Sequence, residues 1–171
     1  MVALRKGFTL MEIMVVMAIV STLFAIAAPI FLQVNRQFVM VLTRLELQQE
    51  ARGVMYIMTR ALRQAQRDTI VISRADTSQP FYSKIMFTKE QSTSTYVATT
   101  MAFQQERTVL YQLIGGTDKR VLSRNLNYLA FTFPRSDDMG LISVSVTLQK
   151  STYEGKKNTL HVASEKVRVM N

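Results

Sequence analysis

The chain of 171 residues has no cysteine, one histidine, three prolines and six glycines, and its 21 basic residues outnumber its 12 acidic ones. Without cysteine there is no disulfide and no thiol nucleophile, so covalent catalysis would need a serine, threonine, lysine or carboxylate activated by a neighbour. No such cluster is present in the sequence. The lone His161 falls on a predicted strand and reads as a strand-surface or interface residue. Asp137 and Asp138 carry oxygens suited to a hard cation, but no ligand spacing completes a site, and with Gly140 they read as a turn. These absences imply no enzyme, no cofactor and no metal. There is no internal repeat, and no nucleic-acid motif or interleaving of aromatic with basic residues.

What the chain does have is an apolar run over residues 8–32, preceded by a short basic leader ending in Lys6 and Gly7, with Glu12 as the one ionisable side chain inside it. As an α-helix rising about 1.5 Å per residue this run reaches roughly 37 Å, enough to cross a hydrocarbon core of about 30 Å. A secretory signal would have a shorter apolar stretch and no internal acid, although Ala25-Ile26-Ala27 supplies an A-x-A cleavage pattern. Arg5 and Lys6 hold the N-terminus in the cytoplasm by the positive-inside rule and leave the rest of the chain on the far side, with Arg36 and Arg44 as weaker opposing votes.

The string Lys6-Gly7-Phe8-Thr9-Leu10-Met11-Glu12, continued by an apolar helix containing Pro29, resembles the class III signal of type IV pilins and type II secretion pseudopilins. The resemblance implies removal of residues 1–7 by a membrane prepilin peptidase, with the cut between Gly7 and Phe8 and N-methylation of Phe8. It also implies an inner-membrane, single-pass precursor that meets an assembly platform and other pilin or pseudopilin subunits. In that family the acid at the position of Glu12 compensates the N-terminal amine of an adjacent subunit as the filament grows.

Read without the family, a charge near the bilayer centre costs about 3 kcal/mol on insertion scales, so a membrane acid is usually paired or functional. Glu12 lies a turn inside the cytoplasmic end, so two readings stand: a carboxylate that snorkels to the headgroups, or one that neutralises the Phe8 ammonium within a chain or between chains. Ala18, Ser21, Thr22, Ala25 and Ala28 recur at three- and four-residue spacings and allow close helix approach. Met11, Met14 and Met17 form an apolar packing stripe. Pro29 removes one backbone donor, so a kink or local unwinding is expected there, and related filaments are melted just before this proline.

Between Phe38 and Gln66 there is no proline and only Gly53, while Leu47, Ala51, Val54, Met58, Ala61 and Ala65 form an amphipathic stripe. This pattern extends the helix to about Arg67, a continuous rod of about 90 Å. Arg60, Arg63 and Arg67 are expected on one helix face as the sharpest basic patch, which reads as a solvated or subunit-facing surface or as a contact for anionic lipid or nucleic acid.

After Asp68 the pattern alternates. Strands are predicted over 69–74, 81–88, 95–103, 108–114, 121–126, 128–133, 141–148 and 159–169, with loops over 73–80 and 151–158 and turns at Gly115-Gly116 and 137–140. The fold class is therefore α+β, a long N-terminal helix packed on an antiparallel sheet. The expected organisation is a leader at 1–7, a transmembrane and filament-core helix at 8–32, and a pilin-like extracytoplasmic domain at 33–171 that includes the helix's second half.

A looser resemblance, over Val109-Leu110-Tyr111-Gln112-Leu113, 120–126, 129–133 and the ending 166–171, is to J-type minor pseudopilins and minor pilins, which sit at a filament tip. The lack of cysteine also departs from the disulfide-looped major pilins. The sequence is thus identified as that of a minor, tip-associated structural subunit. The alternative is a membrane-anchored binding module, including one that captures DNA for uptake.

Overall fold

The computed structural model describes residues 7–91, 97–153 and 157–170. Helix α1 spans Leu10–Arg63, and a 3-10 turn follows at Arg67–Thr69. Among the described residues eight strands follow: β1 Val71–Ser73, β2 Lys84–Gln91, β3 Val97–Glu106, β4 Val109–Ile114, β5 Asp118–Ser123, β6 Leu126–Thr132, β7 Leu141–Tyr153 and β8 Lys157–Arg168. The fold is α+β and pilin-like. By internal contacts the chain divides into two units, Met1–Val41 and Leu42–Asn171.

In the second unit the strands form two antiparallel sheets, a five-stranded meander β1-β2-β3-β4-β5 and a three-stranded sheet β6-β7-β8. The alternation that predicts β7 is borne out: Ile142, Val144, Val146 and Leu148 are buried, while Ser143, Ser145 and Thr147 lie on the half-exposed face. The expected helix stripe is also the buried one, with Leu47, Ala51, Val54, Met58, Ala61 and Ala65 in a single core with Phe87, Phe103 and Phe131. The sheets are stitched together where Phe131 N–H donates to the Tyr82 carbonyl at 2.9 Å and Leu126 N–H to that of Thr108 at 2.9 Å.

Several expected boundaries move. The helix ends at Arg63 rather than near Arg67, because the next residues are taken up by the edge of β2. Ala65 bridges Lys89, Gln66 N–H donates to the Thr88 carbonyl at 2.9 Å, and Thr69 Oγ1 accepts the Thr88 N–H at 2.9 Å. The expected 151–158 loop is mostly strand, since β7 runs to Tyr153 and β8 begins at Lys157; residues 154–156 lie outside the described residues. The predicted start of the third strand, Thr95, also lies outside them. Leu126 belongs to β6, not to the preceding strand.

The β3–β4 hairpin turns on Arg107 and Thr108, with Arg107 at φ 55. A non-glycine residue in that region carries no glycine or asparagine signal, so the tight turn is invisible in the sequence. Gln105 Nε2 donates to the Arg107 carbonyl at 2.9 Å and braces it. The predicted Gly115-Gly116 turn does use glycine's freedom, at φ 63 and 85.

One core position is frustrated. Gln112 is 5% exposed, sits across from Phe103, and its Oε1 accepts no hydrogen bond among the described residues. A buried acceptor left unpaired costs about 1–3 kcal/mol. Gln112→Leu is accordingly expected to raise stability against urea by about that amount, with an unchanged denaturant slope; a lowered midpoint would show that the amide is satisfied.

Candidate functional site: the processing and assembly segment

The first unit is a helix with nothing of its own to cover it. Phe8 is 78% exposed, and the large apolar side chains from Leu10 to Leu32 all lie open. This segment is long and apolar enough to cross a membrane, and none of its apolar window is buried inside the chain. Its hydroxyls do not need water. Ser21 Oγ donates to the Met17 carbonyl at 2.7 Å and Thr22 Oγ1 to that of Ala18 at 2.8 Å, so both are satisfied within the helix and suit an apolar medium.

The helix start is built by Thr9. Its carbonyl accepts the first helical bonds, from Glu12 N–H at 3.1 Å and Ile13 N–H at 3.2 Å, and its Oγ1 accepts Glu12 N–H at 3.3 Å. Thr9 is thus the N-cap and Glu12 the third helical residue, the Thr-x-x-Glu order of a capping box. Gly7 and Phe8 lie before the cap, outside the helix. The helix accordingly begins two residues later than Phe8. Thr9 gains a capping role that the sequence reading misses, although Thr-x-x-Glu before an apolar run is there to find. An anion in the first turn also faces the positive end of the helix dipole.

Pro29 does not unwind the helix, which is continuous through it. Proline lacks one ladder donor, and the residues on both sides of it remain helical. The small residues at 18, 21, 22, 25 and 28 are all exposed.

The expected basic triplet does not share one helix face. Arg60 and Arg63 lie in the last turn of α1, where cations complement the helix C-terminus, but Arg67 has left the helix. Arg67 faces Asp138 at 4.0 Å and packs against Gly140, where a Cβ would collide with its guanidinium. Asp138 also accepts the Gly140 N–H at 2.9 Å, so the 137–140 segment is a braced turn, as predicted. Arg63 pairs with Glu165 at 3.7 Å. His161 lies half-exposed on β8 opposite Leu148, and no group of three or more metal-ligating side chains gathers among the described residues.

One exposed cluster outside the segment has a charge signature that the sequence did not disclose. Lys119 Nζ donates to Glu106 Oε1 at 2.7 Å, which holds the Glu106 carboxyl below its ordinary range, with Gln104 Nε2 adding a second bond at 2.5 Å. The pairing joins β3 to β5 across β4 and is a surface brace.

Residues 3–28 match the family described as the prokaryotic N-terminal methylation motif. This motif is the type IV prepilin signal, and it bears out the resemblance in the stretch that holds Gly7, Phe8 and Glu12. Its presence indicates a pilin or pseudopilin with prepilin cleavage, and the long apolar helix fits anchoring in the inner membrane. Neither a curated protein nor a solved structure matches the chain.

Proposed function

We propose that this protein is a structural subunit of a type IV pilus or type II secretion pseudopilus, in a minor position at the filament tip. It enters the membrane as a prepilin with its N-terminus in the cytoplasm, loses residues 1–7 by cleavage between Gly7 and Phe8, and is methylated on Phe8. Residues 8–32 then exchange lipid for the helices of neighbouring subunits, and residues 33–171 form the domain outside. The partners are the prepilin peptidase, the assembly platform and other pilin or pseudopilin subunits. No catalytic step is assigned to the chain.

The observation that carries this reading is the methylation motif on a helix whose large apolar side chains from Leu10 to Leu32 are all exposed among the described residues. A stable protein does not leave so much apolar surface in water, so lipid or other helices must cover it. The tip position is supported by the looser resemblance of the strands to J-type minor subunits and by the absence of cysteine.

Mass spectrometry of the native protein tests the proposal. The expected N-terminus is a methylated Phe8. A chain that retains Lys6-Gly7, or one trimmed beyond Ala27, would instead mark a plain anchor or a secretory signal, and the filament reading would fall. Nucleic-acid capture through the arginine triplet would have to displace two surface ion pairs, Arg67 with Asp138 at 4.0 Å and Arg63 with Glu165 at 3.7 Å.

A further inference from the structure

The second unit has a surface that the filament reading does not use. Among the described residues strand β8 pairs only with β7, which leaves one edge of its twelve residues open, and it contains no proline to block an added strand. Beside it lies an open groove of about 740 Å³ between the flank of α1 and the end of β8. Arg52, Tyr56 and Arg60 line it from the helix, and Glu165 and Met170 from the strand side. Two ion pairs, Lys150 to Glu46 at 2.7 Å and Arg63 to Glu165 at 3.7 Å, lay α1 lengthwise along this sheet.

Arg63 already has a carboxylate, but Arg52 and Arg60 have no acidic partner among the described residues. Arg52, Tyr56 and Arg60 follow at intervals of four, and each step rises about 6 Å along the helix. Same-face side chains on a strand repeat every 6.6–6.8 Å or so. The two spacings match closely enough for alternate residues of an added strand to meet successive positions on the helix. On the opposite face of β8, Leu160 and Val162 are 51% and 64% exposed and offer an apolar strip.

We propose that the free edge of β8 and the basic flank of α1 together bind an extended acidic segment of another protein. That segment adds as a strand, with carboxylates at alternate positions facing Arg52 and Arg60 and apolar residues lying beside Leu160 and Val162. Backbone pairing supplies the affinity and the alternating side chains the selectivity. A lipid headgroup has charge but no backbone to pair with β8. A second copy of this chain brings the same basic flank and a formal charge of +9, so like charges oppose its docking.

The full-length protein in neutral detergent, titrated with a fluorescent ten-residue peptide alternating valine and glutamate, tests this. Expected are binding at least tenfold tighter than for a valine–lysine peptide and at least tenfold slower amide exchange along β8. Arg52→Glu with Arg60→Glu should reverse the preference, and the neutral pair Arg52→Gln with Arg60→Gln should weaken binding several-fold if the reversed variant folds poorly. The proposal is overturned if both peptides bind alike, or if the exchange of β8 does not change. It is equally overturned if only phosphatidylglycerol vesicles engage the groove, or if β8 becomes protected by raising the concentration of the chain alone.

Discussion

Glu12→Ala is expected to leave membrane insertion and cleavage intact and to lower incorporation into filaments by two orders of magnitude or more, scored as the ratio of sheared to membrane-bound subunit. On the proposed assembly, cleavage creates an ammonium at Phe8 that enters a medium of packed helices. Removing one partner of a buried ion pair costs about 3–5 kcal/mol because the other charge is left uncompensated. At about 1.4 kcal/mol per tenfold change that is a factor of a hundred or more.

The capping geometry makes a sharper test available. Glu12 is the third helical residue behind a threonine cap. Glutamine serves that position of a capping box as well as glutamate does, but it carries no charge. Glu12→Gln should therefore assemble as poorly as Glu12→Ala if the charge matters. Assembly at normal levels by Glu12→Gln, with Glu12→Ala defective, would transfer the role from ion pairing to helix capping. Normal assembly by both would remove Glu12 from the mechanism.

The contrast between what was legible and what was not follows from the range of the interactions. The apolar helix, its amphipathic continuation and the alternating strands are written in side-chain periodicity, which burial imposes directly. Leu47, Ala51 and Val54, and Ile142, Val144 and Val146, are therefore buried as the pattern requires. The boundaries that moved were set by partners far away in the chain. Nothing near Arg63 in sequence says that Ala65 and Gln66 will bond to Lys89 and Thr88. The helix-face expectation for Arg67 fails for the same reason, since its place depends on Asp138 and Gly140. The Arg107 turn stayed hidden because its backbone conformation is held by the hairpin rather than by a turn-forming residue. For the candidate site, the cleavage position and the acid could be named because the motif is local. The cap at Thr9 is equally local, whereas the open edge of β8 follows only from the strand order.

The second large effect concerns the domain that the helix carries. Phe131→Ala is expected to destabilise the second unit by about 3–5 kcal/mol, the range for deleting a buried phenylalanine ring. Phe131 is fully buried on the inner face of β6 beside Val144 of β7, and its backbone N–H ties β6 to Tyr82, in the turn just before β2 of the other sheet. Deleting the ring opens a cavity where two sheets and α1 converge, and the backbone tie resists the collapse that would refill it. Against a total of about 5–15 kcal/mol for a domain, such a loss leaves little reserve. In urea the midpoint should fall while the slope holds, and the variant should be degraded faster in cells. Val162→Ala, at an exposed position on β8, supplies the contrast and should stay within about 0.5 kcal/mol of the parent. Should Phe131→Ala unfold at the parental midpoint, the core shared by α1 and both sheets would be wrong. If it unfolds early while its N-terminus is still methylated Phe8, processing depends on the first unit and not on the folded domain.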